Sequence, residues 1–101
     1  MGRKPSIPRH LSAESKQIWR EIEAGWELDA HSRTILKVSL EAFDEMREAR
    51  TLVDKYGPLI KSPSGLAKLN PAVQALKVSR ASFLHSWRML NLGVEPPDER
   101  R

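Results

Sequence analysis

The sequence predicts an all-α domain: a short first helix, then a long antiparallel helix pair joined by a small β-hairpin or turn. Two long stretches of helical apolar periodicity carry that expectation, one near residues 30–56 and one near residues 71–92. Between them lies YGPLIKSPSGLAKLNPAV, a stretch dense in turn residues that lets the two helices fold back on each other.

A chain of 101 residues makes one domain and buries roughly two-thirds of its unfolded surface. Hydrophobic residues at 40% suffice for a core, and charged residues at 30% favour solubility. With no cysteine there is no disulfide framework, Cys-ligated zinc or thiol nucleophile. No apolar run approaches the length of a membrane span and nothing resembles a signal peptide, so a cytosolic protein without a membrane partner is the default.

Residues 1–11 are Pro-punctuated and basic, with Arg3, Lys4 and Arg9 and no acid, and they read as a flexible arm. Such an arm either contacts an anionic partner or is a solvated tail. Ser12 is a credible N-cap, with Glu14 in the first turn where a carboxylate suits the helix dipole. The first helix then runs to about residue 24, with Ile18, Trp19 and Ile22 on one face, and Gly25 ends it. Trp26 and Leu28 are expected to fold back onto the core, and Asp29 to cap the next helix.

That second helix would be about 40 Å long at about 1.5 Å per residue. Ile35, Leu36, Leu40, Phe43, Met46, Ala49, Val53 and Tyr56 form its apolar face. Glu41, Asp44, Glu45 and Glu48 form an acidic stripe on the other side, which is either a solvated face or a contact for a basic surface. Gly57 suits a left-handed helix end, and Pro58 forbids continuation. Ser62-Pro63-Ser64-Gly65 fits a type I turn, flanked by Leu59-Ile60-Lys61 and Leu66-Ala67-Lys68-Leu69 as short strands. Asn70-Pro71 then restarts a helix, the amide capping and the proline taking the first helical position.

In the third helix Val73, Leu76, Phe83, Leu84, Trp87 and Leu90 share a face, and Asn91-Leu92-Gly93 closes it. Arg80 falls in the middle of that face, where its guanidinium either pairs specifically or snorkels to the rim. Residues 12–93 are thus the helical core, and residues 94–101 a polar, frayed tail.

Net charge is +4 with a pI near 9.8, and the distribution says more than the sum. Residues 57–92 carry Lys61, Lys68, Lys77, Arg80 and Arg88 and no carboxylate at all. If the protein binds DNA, the cations expected at phosphates are Arg3, Lys4 and Arg9 of the arm, Lys61 and Lys68 of the hairpin, and Lys77 and Arg88 on the third helix. Trp19, Trp26 and Trp87 fall at core spacings rather than on a base-stacking platform. No catalytic constellation emerges. His10, His31 and His85 lie in three separate segments without metal-ligand spacing, so neither a metal nor another cofactor is implied. GxSxG, Walker and GxGxxG patterns are absent, and the expectation is a protein that is not an enzyme. The first helix, the Gly25 turn and the next helix start resemble a helix-turn-helix only loosely, because the second helix is too long.

The order of elements resembles the small subunit of phage terminases, in the branch with a Pro-rich N-terminus and a helical core. The matching pieces are Pro8-Arg9-His10-Leu11-Ser12 before Ile18-Trp19-Arg20, and Tyr56-Gly57-Pro58-Leu59-Ile60 after the long helix. The Ser62-Pro63-Ser64-Gly65 turn, the Lys68-Leu69-Asn70-Pro71-Ala72-Val73 restart and the Asn91-Leu92-Gly93-Val94-Glu95-Pro96 close follow in order. The likeness spans about residues 5–100. It implies a non-catalytic, ring-forming homo-oligomer in the cytoplasm of a bacterial host. Such a protein recognises double-stranded viral DNA and regulates or recruits the large terminase subunit, the ATPase and nuclease of packaging. One departure is His31-Ser32-Arg33, where the family usually has an Asp just inside the long helix. Another is the short stretch after Leu92-Gly93, which leaves the segment that docks the large subunit in question.

In such a ring, Glu41, Asp44, Glu45 and Glu48 of one copy are expected to face Lys77 or Arg88 of the next, with Arg80 as a further interface cation. The rival expectation is a dimeric helical transcriptional regulator that binds operator DNA through the front half. A third is an assembly protein without DNA affinity.

Overall fold

The structure, a computed structural model, describes residues 6–100. Its elements are α1 (Ala13–Gly25), α2 (Ala30–Tyr56), β1 (Leu59–Lys61), β2 (Ala67–Leu69) and α3 (Pro71–Leu90). The all-α expectation with a small hairpin between the two long helices is what the structure has.

Local capping fixes the helix starts as the sequence predicts. The Ser12, Asp29 and Asn70 side chains accept from the backbone N–H groups of Ser15, Ser32 and Ala72. The Asn70 amide also donates to the Gly57 carbonyl at 2.9 Å, so one side chain starts α3 and ties it to the end of α2. Gly57 closes α2 at φ 78° and ψ 175°, a positive-φ extended conformation that only glycine adopts cheaply, rather than the expected left-handed one. The helix α3 ends at Leu90, two residues before the expected boundary. There Asn91 takes the left-handed cap at φ 52° and ψ 46° and its N–H reaches the Arg88 carbonyl.

The core is the seam between α2 and α3 with α1 laid over one end. Leu36, Leu40, Phe43 and Met46 meet Leu76, Phe83 and Trp87, and Ile18, Trp19 and Ile22 close the cluster from α1. A ladder of tilted rings runs through it, Phe43 to Phe83 at 5.2 Å and Phe83 to Trp87 at 5.7 Å between centroids. Trp26 and Leu28 pack against this cluster as expected. Tyr56 does not: it is 55% exposed.

The molecule measures 62 × 25 × 20 Å, long for 101 residues, since the helix pair is one layer deep over much of its length. In the hairpin Leu59 pairs with Leu69, Ile60 with Lys68 and Lys61 with Ala67. Gly65, at φ 85°, donates its N–H to the Ser62 carbonyl and closes the turn with glycine in the fourth place.

Both terminal segments depart from the expected free arm and frayed tail. Leu11 is buried in the core and Ile7 packs against it, so the stretch before α1 is docked from residue 7 onward. The chain after α3 turns back along the pair. The Trp87 indole N–H donates to the Val94 carbonyl at 3.1 Å, and Glu99 reaches Arg50 at 3.1 Å and also pairs with Arg80. A carboxylate from the tail therefore neutralises the guanidinium that the sequence places among apolar neighbours.

Candidate oligomerisation and nucleic-acid surfaces

The acidic stripe on α2 divides into two functional halves. Asp44 is directed at α1: it accepts from the Ser12 N–H at 2.8 Å and from the Ser12 and Ser15 hydroxyls at 2.5 Å each. Glu41 meets the His10 imidazole at 2.7 Å. These two carboxylates, expected at a subunit interface, instead anchor the chain's own front segment. Glu45 and Glu48 are exposed and have no hydrogen bond or ion pair among the described residues. Arg80, also expected at an interface, is committed to Glu99 within the chain.

Two further ion pairs set the course of α1. Arg47 meets Glu14 at 3.0 Å and Arg33 meets Glu23 at 3.7 Å, so α1 lies back antiparallel along the first half of α2. Hydrogen bonding at its own backbone N–H, then the Arg47 guanidinium, hold the Glu14 carboxyl below the usual carboxylate range. The Ser32 N–H, then the Ser32 hydroxyl, do the same for Asp29.

Glu45 and Glu48 stand at one end of an open groove of about 740 Å³ along the uncovered α2/α3 seam. Ala49, Leu52 and Tyr56 line it from α2, and Ala72, Ala75 and Val78 from α3. Leu52, Tyr56 and Val78 are each 40% exposed or more, although they are large and apolar. The tail covers the other side of the pair, where Pro96, Pro97 and Glu99 lie over Met46, Phe83 and Leu84. One flank of the helix pair is therefore dressed by its own chain and the other is bare.

The candidate DNA-binding cations fall in separate places. Arg3 and Lys4 lie outside the described residues. Arg9 is exposed just before the docked Leu11. Lys77 and Arg88, eleven residues or about three turns apart, share the outward face of α3. Lys61 and Lys68 are exposed on the hairpin but on opposite faces, since alternation puts Lys61 with Leu59 and Leu69 and puts Lys68 with Ile60. None of these described lysines and arginines has an acidic partner among the described residues.

Sequence reasoning missed the groove because Leu52 lies just outside the apolar arc of α2, while Val78 lies on the side of α3 away from its assigned arc, so neither wheel marks the pair. Among the described residues no cluster of three His, Asp or Glu side chains is placed to hold a metal ion, and no helix is long and apolar enough to cross a membrane. Comparison with protein-family models, curated proteins and solved structures returned no match to this chain.

Proposed function

We propose that the protein is a non-catalytic adaptor of viral genome packaging with the role of a small terminase subunit. Copies assemble into a ring, bind double-stranded viral DNA, and recruit or regulate the large ATPase/nuclease subunit in the cytoplasm of a bacterial host. The observation that carries this reading is the unequal dressing of the helix pair. A bare apolar groove with two unneutralised carboxylates calls for a protein neighbour, and the same molecule turns Lys68, Lys77 and Arg88 outward with no acid in residues 57–92. The ordered Gly57-Pro58, Asn70-Pro71 and Leu92-Gly93 punctuation, with its resemblance to small terminase subunits, supports that reading of the assembly. The rival dimeric regulator draws less support, since α1 lies antiparallel along α2 instead of presenting a wide-angled helix-turn-helix.

The test is binding to duplex DNA across a salt series. Each phosphate contact contributes about 0.9 to the slope of log K against log salt. Replacing Arg3, Lys4 and Arg9 by Ala is expected to flatten the slope by up to about 2.7. Replacing Lys77 and Arg88 by Ala is expected to flatten it by up to about 1.8. An unchanged slope removes that segment from the DNA contact. No salt-dependent binding by the unaltered protein defeats the DNA half of the proposal.

A further inference from the structure

The hairpin and the groove are both unfinished surfaces, and their chemistry is complementary. A hairpin of two three-residue strands is marginal by itself in water, and this one buries almost nothing against its own chain. Leu59, Leu66 and Leu69 are 60%, 71% and 56% exposed. The Leu59–Leu69 cross-strand pair lies on one face with Lys61 beside it. That face is apolar with a single cation. The groove is apolar with Glu48 and Glu45 at one end.

The spacing agrees as well. Lys61 stands two strand residues, about 6.6 Å, beyond Leu59. Glu48 stands four helical residues, about 6 Å, beyond Leu52. A hairpin laid along the groove with its leucine pair on Leu52 and Val78 brings the Lys61 ammonium to Glu48. Burying these leucines removes exposed apolar surface from both partners, and the charges fix the register and direction.

We infer that the α2/α3 groove is the docking site for the β-hairpin of a second copy of this chain, with Lys61 meeting Glu48 and Glu45. The contact joins two different patches, so each copy offers its hairpin to one neighbour and its groove to another, an arrangement that closes into a ring when the rotation between copies permits. The inference rests on the ring reading only for the number of copies. It also divides the hairpin lysines: Lys61 serves the subunit contact, and Lys68, on the opposite face, remains available to phosphate.

The experiment compares native masses of two variants, alone and mixed. Leu59→Ser/Leu69→Ser removes the hairpin face, and Leu52→Glu/Val78→Glu closes the groove; all four positions are exposed, and far-UV circular dichroism checks that both variants fold. Each alone is expected to lose self-association by about tenfold or more. Mixed one to one, they are expected to pair, because the first keeps an intact groove and the second an intact hairpin. Lys61→Glu is expected to weaken assembly, and adding Glu45→Lys and Glu48→Lys to restore it. A hairpin variant that keeps the mass of the unaltered protein, or variants that fail to pair when mixed, overturns the inference even where the unaltered protein is a ring. An unaltered protein that is only a dimer, with variants that still complement each other, retains the hairpin–groove contact and defeats the ring.

Discussion

Removing the Asp44 carboxylate separates its role in the fold from the interface role that the charge pattern suggests. In Asp44→Ala the backbone N–H and hydroxyl of Ser12 and the hydroxyl of Ser15 lose their shared acceptor. Ser15 is fully buried, and its remaining acceptor is the Leu40 carbonyl at 3.4 Å. A hydrogen bond to a charged group contributes about 1.5–3 kcal/mol, but bonds sharing one partly exposed carboxylate do not add fully. Taking about 1 kcal/mol for each of the three gives a loss of about 3 kcal/mol. For a domain of this size that corresponds to a melting temperature lower by about 12–24 °C. The assay is urea and thermal unfolding at one fixed protein concentration, with Glu48→Ala as the neighbouring control. At a concentration low enough to separate the copies, that control is expected to stay within about 0.5 kcal/mol, since Glu48 is exposed and has no hydrogen bond or ion pair among the described residues. Adding Ser15→Ala to Asp44→Ala should then cost much less than Ser15→Ala alone. If Asp44→Ala is no more destabilising than Glu48→Ala, the carboxylate does not anchor α1 and the division of the stripe is wrong.

Two further outcomes follow from the ion pairs. Glu99→Gln leaves Arg80 without a charged partner and Arg50 with Asp54 alone, and is expected to cost about 1–3 kcal/mol and to speed hydrogen exchange in residues 94–100; unchanged exchange there contradicts a docked tail. Glu14 and Asp29 hold their protons less tightly in the folded chain than in the unfolded one. Their contribution to stability is therefore complete above the ordinary carboxylate range, near about pH 4, and is lost as pH falls through their lowered values. Melting temperatures measured from about pH 6 down to about pH 3 should fall less steeply for Glu14→Gln/Asp29→Asn, a pair that keeps the cap while removing the titration. An equally steep fall contradicts that assignment.

What the sequence discloses is what depends on near neighbours. Both ends of α2, the caps Ser12, Asp29 and Asn70, and the Gly65 turn are decided within about four residues by backbone conformation and side-chain capping. The helical wheel also found most of the core, from Ile18 to Trp87. It failed where an angular position on a helix had to be matched to whatever covers it. Asp44 belongs to the charge stripe by angle, yet α1 lies over it, and its partners are about thirty positions away in sequence. Tyr56 belongs to the apolar face by angle, yet it stays 55% exposed at the edge of the groove. Arg80 raised the right question, a cation on an apolar face in need of an acid. Its answer, Glu99, lay in a tail whose Pro and charge content read as loose. The groove was invisible for a related reason: among the described residues no element lies over that flank of α2 and α3, and periodicity does not report what covers a helix.

Ring assembly is tested most directly by the native mass of the purified protein at moderate salt. One closed oligomer well above a dimer is expected, dissociated by Leu59→Ser/Leu69→Ser while Asp44 and the core stay folded. A stable monomer at all accessible concentrations contradicts it, because the bare groove and the exposed hairpin leucines would then have no partner in a second copy.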